Sequence, residues 1–407
     1  MRRKITDIKN VFVFLLLVLF PHLVLAQQQG SQINIGERFS FHSNTLKEDR
    51  VYQIYLPPTY DNKFFASKAY PVLYLLDGNT HFHTISGIVR SMSNNTQIPE
   101  LIIVAISNTN RIRDFTPTHF EKDPNSKDQM TFPSSGGADN FLKFLQTELM
   151  PHIEANYRTL PYRILVGHSM GGVLATHTLL SNPSMFQAII AIDPSLWWDN
   201  QILVKRAKSI FSQSKGLNNR IFISLANHSL ILDDPKPWED AVKTFAGLVE
   251  TSTNTSPKLQ SKLQYFEAED HNSVTLVSFY YGLSFIFEGY KPPLTLLLKQ
   301  PSEIATHFKN VSEKLGIEIL PPEEFINTMG IILLNQMQKT DTAIEVFKLN
   351  VSNYPKSFNA YDSLADAYMV KGDTTSAVKN YEKSLELNPE NQNAKEQLQK
   401  LKKDIAK

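Results

Sequence analysis

The amino-acid sequence predicts an α/β fold with a mostly parallel sheet, followed by an all-α region at the C-terminus. Short continuous apolar runs recur along the first 290 residues, helical patterns separate them, and helical spacing takes over beyond Pro321-Pro322. Continuous apolar runs of this length are typical of strands buried on both faces of a parallel sheet. Their alternation with helical patterns predicts helices on both faces of that sheet.

The first 26 residues have the composition of a signal peptide. A basic start, residues 2–4, precedes an apolar run over residues 11–20, and Val24-Leu25-Ala26 offers a cleavage site before a polar glutamine run. An uncleaved anchor is the alternative, because residues 11–26 approach but do not reach a full bilayer span. We expect cleavage after Ala26 and a soluble periplasmic or secreted protein without further membrane contact.

The predicted α/β domain covers residues 33–290. Residues 38–42 and 50–56 alternate apolar and polar side chains around a polar turn, which predicts a hairpin. Helices are predicted over residues 139–156, after the glycine turn at 167–171, and over residues 274–287. The predicted buried strands are residues 72–76, 101–106, 163–166, 188–192, 221–225 and, last, 263–266.

The C-terminal part contains an internal repeat. Lys291-Pro292-Pro293 marks a break, and residues 291–323 are predicted to form a helical linker. Within residues 324–407, three positions recur after thirty-four residues, and this period resembles the tetratricopeptide repeat, in which stacked helix pairs share a core. Such a surface can bind a protein partner or a second copy of the chain. The recurring positions are Ala343, Phe347 and Pro355, then Ala377, Tyr381 and Pro389.

Composition excludes several classes of function. The chain has 407 residues, 42% of them hydrophobic, so it can bury a sizeable core in two or three structural units. Its formal net charge of +1 argues against a nucleic-acid or acidic-membrane partner. It has no cysteine, so disulfides, thiolate metal sites and cysteine nucleophiles are excluded.

The turn Gly167-His168-Ser169-Met170-Gly171 predicts a nucleophilic serine. A predicted strand precedes it and a helix follows it, which is the context of the nucleophile turn of α/β-hydrolases. The glycines permit a sharp, crowded turn that exposes Ser169, and the Met170 amide then points at the developing oxyanion. A glycine turn with a purely structural role is the alternative interpretation.

His271 is the predicted general base. Hydrolases of this type carry the nucleophile, the acid and the histidine in that order along the chain, and His271 follows the last predicted strand. His228 is the alternative, although it follows an earlier strand. The ring of His168, inside the nucleophile turn, is expected to face away from Ser169.

The sequence leaves the acid of the triad open. Asp234 is the predicted acid because it follows the strand at 221–225, and Asp233, Glu239 and Asp240 are alternatives in the same segment. A solvated acidic loop would look the same. A Ser–His dyad without a carboxylate also stays open, since the acid mainly orients the imidazole.

Three further features are predicted to line the site. Asn79, after Asp77-Gly78 at a strand end, is expected to supply the second oxyanion amide. Trp197 and Trp198 lie near the carboxyl edge of the sheet, where ligands bind, although core packing is the alternative for each. Arg111 follows another strand end and could bring a cation to an anionic substrate, or lie in a solvated loop.

Motifs in combination identify an esterase family that the chain resembles. That family contains enterochelin and other siderophore esterases, esterase D and the mycolyltransferases. The resemblance implies an α/β-hydrolase fold without a large cap, and ester hydrolysis without a metal or organic cofactor. The motifs are residues 70–78, the Gly-His-Ser-Met-Gly-Gly turn at 167–172, and Ser195-Leu196-Trp197-Trp198-Asp199.

The resemblance also assigns roles to individual residues. It implies Ser169 as nucleophile, His271 as base, and the amides of Asn79 and Met170 as oxyanion donors. The chain departs from the family at residues 226–229, which lack the acid that many relatives place there. Asp193 stands where relatives often have serine, so it is an outside candidate for a polar role in the site.

The leading functional hypothesis is an exported serine esterase that hydrolyses carboxylic esters. Siderophore-type trilactones and small acyl or aryl esters are the substrate classes that the resemblance suggests. A carbohydrate esterase that removes acetyl or feruloyl groups is the alternative enzyme, and acyl transfer would use the same groups. A hydrolase-fold binding protein that acts through its repeats is the alternative from another class.

Overall fold

The computed structural model describes residues 32–121, 131–213, 216–293, 295–296 and 300–405. The predicted signal peptide, residues 1–26, lies outside these residues. The chain divides into two units, residues 1–35 and 36–407. Of the first unit only residues 32–35 are described, without regular secondary structure.

The second unit is built on an eight-stranded sheet in the order β1-β2-β4-β3-β5-β6-β7-β8. β1 pairs antiparallel with β2, β2 pairs antiparallel with β4, and every other neighbouring pair is parallel. The prediction of a mostly parallel α/β sheet is therefore confirmed. The strands are β1 Glu37–Ser43, β2 Glu48–Tyr55, β3 Tyr70–Leu75, β4 Ile102–Ile106, β5 Thr159–His168, β6 Ala188–Ile192, β7 Arg220–Ala226 and β8 Gln260–Phe266.

Helices cover both faces of the sheet. The helices α3 to α7 share a buried cluster with one face, and α1 and α8 pack on the other. A π-helical turn, Leu145–Leu149, joins α3 to α4, and a 3₁₀ turn, His228–Leu230, follows β7. The helices are α1 Gly78–Asn94, α2 Arg111–Phe115, α3 Ala138–Phe144, α4 Met150–Asn156, α5 Met170–Ser181, α6 Trp198–Gln213, α7 Lys236–Ser252 and α8 Val274–Ile286.

Side chains along a strand point alternately to its two faces, and this explains how the buried residues divide between the two sides of the sheet. Val72 and Tyr74 of β3 belong to the cluster on one face, whereas Leu73 and Leu75 belong to the cluster on the other. All six residues of β3 are buried. A strand that is buried on both faces exposes neither face to solvent, so its sequence is continuously apolar rather than alternating.

A helical region completes the second unit. α11 and α13 begin at Thr340 and Thr374, thirty-four residues apart, in agreement with the repeat period in the sequence. A π-helical turn, Ile332–Gln336, extends α10, and a 3₁₀ turn, Pro301–Glu303, precedes α9. The helices are α9 Ile304–Leu315, α10 Glu323–Ile331, α11 Thr340–Asn353, α12 Phe358–Lys371, α13 Thr374–Leu387 and α14 Gln392–Ile405.

The helical region and the sheet share one apolar core. Phe308 of α9 and Ile326 of α10 belong to the same buried cluster as Leu73 and Leu75 of β3. The predicted boundary at residue 324 therefore falls within a continuous core. No helix among the described residues is both long and apolar enough to cross a membrane.

This shared core predicts that α10 stabilises the sheet. We expect Ile326→Ala to lower the free energy of unfolding by about 2 to 5 kcal/mol, because the side chain is fully buried. Ile331→Ala, on the same helix but 41% exposed, should change it by no more than about 0.5 kcal/mol. Urea unfolding followed by tryptophan fluorescence measures both values. The chain's three tryptophans, Trp197, Trp198 and Trp238, all belong to the sheet part, so equal unfolding curves for the two variants would contradict the shared core.

Candidate active site

The turn between β5 and α5 holds Ser169 in a strained backbone. Ser169 has φ 58° and ψ −115°, in a region that L residues rarely adopt. Its amide donates a hydrogen bond to Ile192 O at 2.9 Å, which ties the turn to the end of β6. Met170 begins α5, so its amide lies in the first helical turn and has no acceptor within the helix.

Gly167 makes this turn possible. A Cβ atom on Gly167 would lie 2.2 Å from the carbonyl oxygen of Gly171, and backbone atoms cannot move aside cheaply. The sequence prediction that glycine is needed for a crowded turn therefore has a specific cause, the contact between β5 and the start of α5.

We expect Gly167→Ala to lower the free energy of unfolding by about 3 kcal/mol or more, because the new methyl group overlaps backbone. Gly247→Ala is the matched control. Gly247 lies exposed in α7 with open space around its Cβ position, so alanine there should raise helix stability by about 1 kcal/mol. Denaturant unfolding of both variants tests the prediction, and it fails if Gly167→Ala is as stable as the unmodified chain.

The structure brings His271 to Ser169. His271 follows β8, and its Nε2 lies 3.0 Å from Ser169 Oγ. His168 contacts the backbone of His271, because its Nε2 donates a hydrogen bond to the carbonyl oxygen of His271 at 2.7 Å. Burial lowers the pKa of His168 to about 4, so this ring is neutral near pH 7. The ring of His168 lies 4.7 Å from that of His271.

Asp193 completes the arrangement. It lies at the end of β6, and its Oδ2 accepts a hydrogen bond from His271 Nδ1 at 2.6 Å. Its Oδ1 accepts from the amide of Ala226 at 3.0 Å. Burial raises the pKa of Asp193, but the rings of His228 and His271 and the Ala226 amide outweigh burial and lower the pKa to about 2. The carboxyl group is therefore ionised at neutral pH.

The predicted acid, Asp234, is not at the site. Asp234 is exposed in the loop after β7, and His271 Nδ1 is already occupied by Asp193. Asp233 and Asp240 are also exposed, and Glu239 pairs with Lys243 at 2.8 Å. The physical reason for the correction is that the carboxylate stands on β6 rather than after β7, so Asp193 takes the acid's place and the arrangement is not a dyad.

Two further polar residues lie at the site: Ser195, which had no predicted role, and His228, which was the alternative base. Ser195 Oγ lies 3.0 Å from Ser169 Oγ, and Ser195 is only 3% exposed. His228, the alternative base, is 2% exposed, and its Nε2 lies 3.0 Å from Asp193 Oδ2. His228 thus lies against the carboxylate rather than against the serine. The sequence feature that could have pointed to a role for Ser195 is its place in the Ser195–Asp199 motif.

Asn79 lies beside the nucleophile turn at the start of α1. Asn79 is the second residue of α1, so its amide, like that of Met170, has no acceptor within its helix. Gly78 packs directly on β4, where a Cβ would lie 2.6 Å from Ala105. The neighbouring Asp77 carboxylate lies close to Gly171, at 3.3 Å from an ideal Cβ position there. Two helix N-termini therefore meet at this edge of the sheet.

Arg111 connects these two turns through hydrogen bonds to both. Its Nε donates to Asp77 Oδ1 at 2.7 Å, and its Nη2 donates to the carbonyl oxygen of His168 at 2.8 Å. Its charge is balanced by Asp77, and the predicted contact of Arg111 with an anionic substrate stays a prediction. The place of Arg111 after a strand end predicted where this side chain lies, but it did not predict which groups the side chain contacts.

The two adjacent tryptophans have different environments. Trp198 is 1% exposed and donates a hydrogen bond to Thr118 Oγ1 at 3.2 Å, so it belongs to the core and not to a binding surface. Trp197 is partly buried, and its ring lies 5.2 Å from that of Trp238 on α7. Trp238 in turn lies 6.2 Å from the ring of His271. Trp197 and Trp238 form an aromatic wall beside the histidine, and Trp238 was missed by the sequence analysis.

The arrangement can perform acyl transfer through a serine. A hydroxyl, an imidazole and a carboxylate stand in hydrogen-bonded sequence, and two helix N-termini offer amides to a developing oxyanion. The described residues hold one group of three metal-capable side chains, formed by Asp193, His228 and His271.

Comparisons with known proteins agree with this chemistry. Residues 43–273, more than half of the chain, match the model of the family described as "Putative esterase". The ferri-bacillibactin esterase BesA of Bacillus subtilis is 30% identical over 270 residues, which are 62% of this chain and 90% of that protein. The siderophore triacetylfusarinine C esterase of Aspergillus fumigatus is 26% identical over 277 residues, 63% of this chain and 94% of that protein.

A solved structure extends the similarity to the fold. An IroE-like serine hydrolase from Shewanella oneidensis superposes with a TM-score of 0.66 at 29% sequence identity. The match covers 77% of this chain and 98% of that structure.

Proposed function

The chain belongs to the Putative esterase family, and we propose that it hydrolyses the ester bonds of siderophores through an acyl-enzyme on Ser169. That it is a carboxylic ester hydrolase of the serine type follows from the family and from the similarity to siderophore esterases and to a serine hydrolase. The observation that carries the proposal is the continuous contact from Ser169 Oγ through His271 to Asp193.

In the proposed first step, Ser169 Oγ attacks the ester carbonyl carbon. His271 Nε2, 3.0 Å away, accepts the hydroxyl proton, and the carbonyl electron pair moves onto oxygen. Because amides at the start of a helix lack internal acceptors, those of Met170 and Asn79 are proposed to donate to this oxyanion. His271 then returns the proton to the leaving alkoxide as the carbon–oxygen bond breaks.

In the proposed second step, water releases the acyl group. His271 takes a proton from the attacking water, and Ser169 leaves with that proton as the acid product forms. Asp193 stays ionised through both steps, since its pKa is lowered to about 2. It holds the Nδ1 proton of His271, keeps Nε2 free to accept a proton, and stabilises the imidazolium.

The aromatic wall of Trp197 and Trp238 supports an ester with a flat group near the scissile bond. The two rings are 5.2 Å apart, and that of Trp238 lies 6.2 Å from the ring of His271. Both curated relatives described above are named as siderophore esterases, which favours a siderophore as the substrate class. The same wall would also suit a feruloyl ester, so a feruloyl carbohydrate ester is the second candidate substrate.

A substrate comparison tests this choice. We expect the chain to hydrolyse a siderophore trilactone with a higher kcat/KM than feruloyl or acetyl carbohydrate esters, measured by chromatography of the products. Trp238→Ala should lower kcat/KM by about tenfold on esters that carry an aromatic ring, because it removes the stacking surface. An acetyl ester is the matched control, since it has no ring to lose. Preferred turnover of the feruloyl ester would replace the siderophore proposal.

Export is proposed on the sequence of residues 1–26. A basic start, an apolar run and a cleavage site before the glutamines support release into the periplasm or the medium. N-terminal sequencing of the mature protein from fractionated cells tests this, with Gln27 expected at the first position. A chain that starts at Met1 in the membrane fraction would favour the uncleaved anchor.

The helical region is proposed to be a pair of tetratricopeptide-like repeats over residues 324–407, joined by a linker over 291–323. The thirty-four-residue offset of α11 and α13 supports it, as does the burial of the repeated positions Ala343, Phe347, Ala377 and Tyr381. Its proposed role is to bind a protein partner or a second copy of the chain.

A further inference from the structure

His228 is a buried histidine that takes no part in the proton transfers of the proposed mechanism. It is 2% exposed, and neither of its ring nitrogens makes a hydrogen bond with any described residue. Its Nε2 nevertheless lies 3.0 Å from Asp193 Oδ2, which is within ion-pair distance. Because buried polar nitrogens are nearly always satisfied, this ring calls for an explanation.

The surroundings of His228 supply two more donor atoms. Asp193 Oδ2 and His271 Nδ1 are 2.6 Å apart, and together with His228 Nε2 they lie within 4.8 Å of one another. Two imidazoles and one carboxylate are a ligand set that suits zinc, which protein sites often bind through three side chains and one water. Calcium and magnesium prefer oxygen ligands, so two nitrogens select against them.

We propose that Asp193, His228 and His271 form a zinc site whose occupation switches the esterase off. The inference rests on the proposed role of His271 as the general base. Zinc binds His271 at Nδ1, whose proton moves to Nε2, binds Asp193 through Oδ2, and is held in place by His228 Nε2.

The inhibition follows from the two tautomers of imidazole. A neutral imidazole carries one proton on two nitrogens, so zinc on Nδ1 leaves that proton on Nε2. Nε2 is the atom that must accept the proton of Ser169, 3.0 Å away, and a protonated Nε2 cannot accept it. Zinc therefore fixes His271 in the tautomer opposite to the one that Asp193 selects in the active enzyme.

The geometry predicts a moderate affinity. Two ligands on a tetrahedral zinc ion are separated by more than about 3 Å, since each bond is about 2.0 to 2.2 Å long. The 2.6 Å contact between His271 and Asp193 must therefore open slightly when zinc enters. His228 supplies the third ligand beside the histidine and the carboxylate of the triad.

Zinc binding can be tested without relying on catalysis. Isothermal titration of zinc chloride into the Ser169→Ala chain should show one zinc ion bound per chain with moderate affinity, because Ser169 is not a ligand. Adding His228→Phe should weaken that site by about tenfold or more, since it removes one of three ligands. His83→Asn, which removes an exposed histidine on α1, is the matched control and should leave the affinity unchanged. Binding that does not change with His228→Phe overturns the inference.

Two further measurements keep the test decisive. Cobalt(II) should give visible absorption bands with the Ser169→Ala chain, and His228→Gln should abolish them even if His228→Phe fails to fold. In the chain with an intact Ser169, zinc should lower kcat without raising KM, and EDTA should restore the rate. Zinc binding that depends on His228 in a chain without esterase activity would reject only the proposed function. Active enzyme whose zinc sensitivity does not depend on His228 would reject only the zinc site.

Discussion

Ser169→Ala is expected to lower kcat for ester hydrolysis by about 10⁵-fold to 10⁶-fold, because the acyl-enzyme can no longer form. The hydroxyl is the only group of the turn that contacts His271 Nε2. Hydrolysis of a p-nitrophenyl acyl ester by the purified chain and the variant measures the loss. Rates that are equal in both would remove Ser169 from the mechanism.

Ser195→Ala is the control for this variant. Its hydroxyl lies 3.0 Å from Ser169 Oγ and is equally able to hold a proton, but it makes no hydrogen bond with His271 among the described contacts. Losing one neutral hydrogen bond should lower kcat by no more than about tenfold. A loss as large as that of Ser169→Ala would move the nucleophile to Ser195.

Asp193→Asn is expected to lower kcat by about 10⁴-fold. Asp193 Oδ1 accepts from the Ala226 amide, so the amide oxygen of asparagine would stay there and place its NH₂ group toward His271 Nδ1. Nδ1 would then have to accept a hydrogen bond, and the ring proton would move to Nε2. The variant would keep its packing and lose the tautomer that accepts the proton of Ser169.

Asp234→Asn is the matched control, with the same change in an exposed loop. It should leave kcat within about twofold, as surface substitutions away from a site usually have small effects. The rates of the two variants on one ester, together with equal thermal midpoints, decide between the two carboxylates. A large loss in Asp234→Asn alone would restore the acid that the sequence first favoured.

The parts of the site that follow from local sequence were predictable. The strand, the glycine turn and the helix around Ser169 are contiguous, and chain order alone selected His271 over His228. Trp197 also lies near the site, through its ring contact with Trp238. Each of these depends on residues close in sequence or on the order of strands in the sheet.

The features that the sequence did not predict share a different cause. They depend on which side chains of distant segments come into contact in the folded chain. Asp193 and His271 are seventy-eight residues apart, and nothing local shows that the end of β6 reaches the loop after β8. Arg111 likewise meets Asp77 from another strand end, and the difference between Trp197 and Trp198 depends on packing by residues far along the chain. Pairing between distant segments is the information that a single sequence lacks.

The position of Asp193 indicates how the acid of this catalytic triad could be moved to a neighbouring strand. β6 and β7 are parallel neighbours, and neighbouring strands lie about 4.8 Å apart, so side chains at either end can reach the same imidazole. Asp193 follows the end of β6, and His228 follows the end of β7. His228 Nε2 lies 3.0 Å from Oδ2 of Asp193. We therefore expect that exchanging the residues at 193 and 228 would move the acid from the end of one strand to the end of the next, while the nucleophile and the base stay where they are.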